Sequence, residues 1–191
     1  CFSDSSLEDD DDDYAKVYVN NAGTLSATTS LINTNINPGM YYGSDPYDSG
    51  NYGSVWTDFD NDGDLDVVVT NHGEASQIYQ NDGTGHFIDV TAGSGFTVPF
   101  DAIESTVEDF DNDGFLDILV TGPNWVMYRN NGNGTYTQTP GVMTGTNLLS
   151  MGIGDLNHDG KSDIFASYGT VYNNPTTIDD VLYLNTTSNT N

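Results

Sequence analysis

Positive charge is nearly absent from this chain: Lys16, Arg129 and Lys161 are its three basic residues, against 29 Asp and Glu, for a formal net charge of -26. That imbalance excludes a nucleic-acid partner, because no basic patch exists to meet phosphates. It also sets a folding problem, since a compact chain so charged repels itself unless cations neutralise it. Cysteine occurs once, at Cys1, so no intrachain disulfide can form. No run approaches the roughly 18 apolar residues needed to span a bilayer. What is present excludes disorder in turn. Hydrophobic residues make up 36%, with 12 Tyr and 8 Phe, too many for a disordered acidic chain. The 21 Gly, with abundant Asn, Asp and Thr, point to a turn-rich all-β protein. A length of 191 residues suffices for one domain with a sizeable core.

Residues 1–13 read as an acidic tether. Glu8 and Asp9 to Asp13 place six carboxylates side by side, which favours a solvated linker. The start, Cys1-Phe2-Ser3-Asp4-Ser5-Ser6, resembles a mature bacterial lipoprotein, whose cysteine carries the lipid. The plainer alternative is that Cys1 is only where the chain was cut. Membrane association is expected only through such a lipid. The folded domain is expected over 14–191.

A repeat organises that domain. Apolar strand-like segments flank an acidic loop in each of three units, about 54–92, 104–139 and 148–185. The loops start at 58, 109 and 155, so they recur after 51 and 46 residues. The first two units offer four short strands each and the third offers three. A fragment at 14–30 matches the end of a unit, with Val17-Tyr18-Val19-Asn20-Asn21 corresponding to Met127-Tyr128-Arg129-Asn130-Asn131. Residues 33–53 read as a long connection. Four-stranded units at a period of roughly 40–50 residues are the sequence signature of propeller blades.

The loops follow D-x-[DN]-x-D-G-x-x-D. The first is Asp58-Phe59-Asp60-Asn61-Asp62-Gly63-Asp64-Leu65-Asp66. The second is Asp109-Phe110-Asp111-Asn112-Asp113-Gly114-Phe115-Leu116-Asp117. The third is Asp155-Leu156-Asn157-His158-Asp159-Gly160-Lys161-Ser162-Asp163. Calcium takes about 6–8 hard oxygen ligands in flexible geometry. Positions 1, 3 and 5 send side-chain oxygens to one centre: Asp58, Asp60 and Asp62; Asp109, Asp111 and Asp113; Asp155, Asn157 and Asp159. Glycine at position 6 permits the turn. Position 7 (Asp64, Phe115, Lys161) can offer its backbone carbonyl, and the carboxylate at position 9 (Asp66, Asp117, Asp163) closes the sphere. Up to three calcium ions are therefore expected. The spacing matches the front of an EF-hand loop, but β-rich segments flank it where helices would. Leu65 and Leu116 at position 8 are expected to point into the core. The alternative reading is a set of acidic turns without metal, which carboxylate repulsion disfavours.

These D-F-D-N-D-G-x-L-D loops, with Trp56-Thr57-Asp58 at the start of one and Tyr-x-Asn-x-Gly after two, resemble FG-GAP/VCBS repeats. The resemblance covers about 54–185, and weakly 14–30. It implies a β-propeller of the integrin-head kind, with calcium in the hairpin between the first two strands of a blade. Members of that family include adhesion domains, lectins and appendages to enzymes. This chain supplies two whole units and two partial ones, where propellers close with about 4–8 blades. Open strand edges are liabilities. Either a longer protein completes them or another copy does, with Val181–Asn185 pairing against Lys16–Val19 of a neighbour in a ring or filament.

Other chemistry is thin. His72, His86 and His158 share no metal spacing, and no nucleophile-elbow motif occurs. The clustered carboxylates are already spent on the loops, so no enzyme is expected. Trp56, Trp125 and the pair Tyr41-Tyr42 are read as core or as sugar-stacking residues. Asn133 and Asn185 begin glycosylation triplets. The expected protein is an extracellular or cell-surface, calcium-binding structural or adhesion protein that self-associates. The alternatives are a carbohydrate-binding module that meets a glycan or cell-surface ligand, or a non-catalytic part of a secreted enzyme.

Overall fold

The computed structural model describes residues 17–28, 50–72, 75–98, 102–122, 125–139, 148–168 and 179–187, and among these there is no helix. The tether at 1–13, Lys16 and the Tyr41-Tyr42 pair lie outside the described residues. Among the described residues, thirteen strands form four antiparallel sheets. The hairpin β1 (Val17–Asn21) and β2 (Thr24–Thr28) stands as a two-stranded sheet. Unit one is β3 (Gly50–Thr57), β4 (Asp66–His72), β5 (Gln77–Asn81) and β6 (Phe87–Asp89), paired in chain order. Unit two repeats that meander with β7 (Glu104–Glu108), β8 (Asp117–Thr121), β9 (Val126–Asn130) and β10 (Tyr136–Thr139). Unit three has β11 (Leu148–Gly154), β12 (Asp163–Tyr168) and β13 (Val181–Tyr183).

One expected boundary moves. β3 begins at Gly50, inside the stretch read as a connection, and pairs with Asn71 and His72. A register shift between Asn51 and Gly53 allows this. Glycine fits closely there, because a Cβ at Gly53 would come within 3.0 Å of Thr70 Oγ1 and 3.4 Å of a backbone carbonyl. A strand rich in Gly and Asn carries little propensity of its own, so its pairing is a tertiary effect.

The strand alternation places two apolar faces on every unit. Counting from the loop's last aspartate, Ile118 and Ile164 face the preceding unit, whereas Val68 and Leu119 face the following one. Val68 and Ile78 of unit one pack with Ile118, Val120 and Tyr128 of unit two in the largest buried cluster. Leu119 and Phe110 of unit two pack with Ile164 of unit three, and Trp125, Met127, Ile153 and Tyr183 close that cluster. The second residue of loops one and two joins the seam. Phe59 and Phe110 are both 4% exposed, a burial that stabilises by about 1.5–3 kcal/mol each. Phe59 meets Tyr136 edge-on, with ring centroids 6.3 Å apart.

The following-side face of unit three has no such cover among the described residues. Leu156, Phe165, Leu182 and Leu184 there are 44–56% exposed. The counterparts of Leu156, Phe165 and Leu182 in units one and two are buried or packed against the next unit. Leu65 also departs from expectation. It is 57% exposed rather than core-directed, whereas Leu116 at the same position of unit two is half-buried. Trp125 packs between units two and three against Tyr168 and Tyr183, while Trp56 stays 46% exposed with its ring edge-on to Phe87.

Candidate metal centre

Each loop is wound by its own carboxylates. The position-1 aspartate accepts from two amides with its two oxygens. Asp58 takes Asp62 N and Gly63 N, both at 3.0 Å. Asp109 takes Asp113 N at 3.0 Å and Gly114 N at 2.9 Å. Asp155 takes Asp159 N at 3.1 Å and Gly160 N at 2.9 Å. The position-5 aspartate accepts from the position-7 amide at 2.9–3.0 Å in all three loops. These bonds need two left-handed residues per loop. One is the glycine at position 6, with φ of 97°, 93° and 81° for Gly63, Gly114 and Gly160. The other is position 4, where Asn61, Asn112 and His158 have φ of 58–63°, a conformation that Asn and His adopt more readily than most side chains.

The carboxylates converge in two loops. Asp58, Asp60 and Asp66 bring oxygens within 4.8 Å of one another, and so do Asp109, Asp111 and Asp113. This donor set of hard oxygens suits calcium rather than a softer ion. In loop two Asp111 is buried, and its Oδ1 has no hydrogen-bond partner, an orphaned acceptor that a cation would satisfy. Loop three assembles Asp155, Asn157 and Asp159 by the same backbone pattern, with Asn157 Nδ2 donating to Asp159 Oδ2 at 3.1 Å.

The position-9 aspartates do more than close a sphere. Asp66, Asp117 and Asp163 are all but fully buried. Each accepts from the amide of its loop's second residue, at 2.9–3.3 Å, and from the amide of the asparagine at or just past the end of the third strand, at 2.8 Å. They tie the loop to the third strand. Burial pushes the carboxyls of Asp66 and Asp117 up to about 6, with neighbouring loop aspartates adding to the rise and the two amide bonds opposing it. Position 7 presents only its backbone to the loop's interior. Asp64 Oδ2 lies 2.8 Å from where a Cβ on Gly83 would be, and the Phe115 ring within 2.5 Å of such a Cβ on Gly132, so both turns require glycine. Lys161 donates to the carbonyl of Thr187.

Two sets of residues carry contacts that the motif alone did not assign. Position 4 links successive loops: Asn61 Nδ2 donates to Gly114 O and Asn112 Nδ2 to Gly160 O, both at 3.4 Å. The third-strand asparagines link successive units. Asn130 Nδ2 donates to Phe59 O at 2.7 Å and Leu116 O at 3.2 Å. Asn185 Nδ2 donates to Phe110 O at 2.7 Å, so the nitrogen of that expected glycosylation triplet is committed. Asn133 is exposed. The sequence signal for both sets is recurrence at a fixed offset. Of the histidines, His158 is exposed on its loop and His86 lies before β6 beside Thr84, with Oγ1 to Nδ1 at 3.0 Å. His72 closes β4.

Three meander sheets, each with an aspartate-wound hairpin loop between its first two strands and joined head to tail by asparagine bonds, define a repeat protein. The model for FG-GAP-like repeats matches residues 58–120 and 109–166, more than half of the chain. The chain belongs to the FG-GAP-like repeat family. No curated protein matches it.

Proposed function

We propose that this chain is an extracellular structural or adhesion unit, a propeller-like array of blades in which calcium is scaffold rather than sensor. The observation that carries this is the register of the loops. Carboxylates at positions 1 and 3 converge with one further aspartate in loops one and two, and successive loops bond to one another. Calcium there neutralises part of the net charge of -26 and fixes the seam between blades. The residues that would hold it are Asp58, Asp60, Asp62 and Asp66 in loop one and Asp109, Asp111, Asp113 and Asp117 in loop two. In loop three they are Asp155, Asn157, Asp159 and Asp163. The carbonyls of Asp64, Phe115 and Lys161 complete each set. The reading is non-catalytic, because the clustered carboxylates are engaged in loop structure. No helix among the described residues is long and apolar enough to cross a membrane.

The open face of unit three supports self-association. Leu156, Phe165 and Leu182 occupy the positions that receive the next blade in units one and two, and a blade of a second copy is the occupant of matching shape. The test is thermal melting with and without a calcium chelator, combined with sizing of the calcium-loaded chain. A melt indifferent to chelation sinks the calcium reading. A strictly monomeric species sinks the assembly.

A further inference from the structure

Arg129 and Lys161 are two of only three basic residues in the chain, and both lie at acidic loops. Lys161 belongs to loop three and reaches away to Thr187 O. Arg129 does the opposite: from β9 its Nη2 pairs with Asp111 Oδ2 at the middle of loop two. The residue after the third-strand tyrosine occupies this place in every unit, as Gln80, Arg129 and Leu184. In unit one the neutral Gln80 Nε2 donates to Asp60 Oδ2.

The pairing changes the loop. In loops one and three the position-3 side chain accepts from the position-5 amide, Asp60 Oδ1 from Asp62 N at 3.2 Å and Asn157 Oδ1 from Asp159 N at 2.9 Å. Asp111 makes no such bond to Asp113 N, which goes to Asp109 alone. Asp111 is turned toward the guanidinium instead, buried to 6% exposure while Asp60 stays half-buried.

We propose that Arg129 is a resident counter-ion of loop two that competes with calcium for Asp111. Loop two then binds calcium more weakly than loop one and holds its form better without it. This rests on the calcium reading above. A guanidinium in contact with a carboxylate makes a strong charge-assisted bond, and a divalent ion reaching the same oxygens meets its positive charge. Loop one has only an amide in that position and keeps its full negative field. The outcome is a graded scaffold, in which one seam needs calcium at low concentration and the other engages at higher concentration.

The test is calorimetric titration of calcium chloride into the whole chain, with Asp60→Ala and Asp111→Ala assigning the two sites. In Arg129→Gln, loop two should bind calcium about tenfold or more tightly, the scale of one charge-assisted bond. Its melting point in chelator should fall. In Gln80→Arg, loop one should weaken by a similar factor. Unchanged or weakened binding at loop two in Arg129→Gln overturns the proposal. If that variant does not fold in chelator, Gln80→Arg carries the test, and unchanged loop-one binding overturns it. A wild-type chain that binds no calcium at any loop overturns the calcium reading itself. Calcium at loop one with indifference to Arg129 overturns this inference alone.

Discussion

At the scale of single residues, the third-strand asparagine ties its own loop to the preceding unit. Asn130 is 1% exposed and serves four neighbours at once. Its amide meets Asp117, its Nδ2 meets carbonyls of its own loop and of Phe59 in the preceding unit, and its Oδ1 accepts from Gly132 N at 3.0 Å. Asn130→Ala should cost about 3 kcal/mol, because it strands buried carbonyls and unhooks a turn. Asn81→Ala should cost about half as much. Its Nδ2 reaches only its own loop, Leu65 O at 3.2 Å, in an exposed setting. Urea unfolding of both variants checks the difference. Equal losses would mean that the bond to Phe59 contributes nothing across the seam.

At the scale of elements, the two faces of each sheet predict unequal responses to the same truncation. Leu119 is fully buried between units two and three, and its counterpart Phe165 is 44% exposed. Leu119→Ala should therefore cost about 3 kcal/mol, while Phe165→Ala should cost under about 1 kcal/mol to the isolated chain and act instead on association. Urea midpoints and sizing separate the two effects. These faces were only partly legible from the sequence. Strand order, loop register and the three units could be read because a period-2 alternation beside D-x-D-x-D-G leaves little choice. Which face of each strand met which neighbour could not, since alternation marks two faces without naming their partners. Leu65 is the example: the pattern marks it as apolar and the structure leaves it exposed. The first half of Gly50–Thr57 carries little strand signal, because its pairing comes from Asn71 and His72 rather than from its own propensity. Inside the loops, the oxygens at positions 1, 3, 5 and 9 were legible from spacing. The reach of Arg129 to Asp111 was not, because it depends on where β9 lies against the loop.

At the scale of the whole molecule, the charge imbalance and the buried aspartates lead to opposite pH responses with and without calcium. Burial holds the carboxyls of Asp66 and Asp117 near 6, above their ordinary 3.8. In the metal-free chain their protonated forms are favoured by folding. That contribution is complete below about 3.8 and is lost as pH rises through 6. Repulsion among the remaining carboxylates acts in the same direction. Calcium selects the ionised forms, so its contribution grows as pH rises through the same window, reaching about 2.7 kcal/mol per site at a hundredfold excess over Kd. The chelated chain should melt at progressively lower temperature between about pH 4 and pH 7, while the calcium-loaded chain should melt at progressively higher temperature. The two curves should converge near the acid end, where the loops are protonated and metal is released. Asp66→Asn removes one titrating group and keeps one of the two acceptor oxygens that meet Phe59 N and Asn81 N, so it should lower the chelated curve as a whole and flatten part of it. Parallel curves at all pH values would mean that calcium and protons do not compete for these loops, and the scaffold role assigned to the metal would fall with that result.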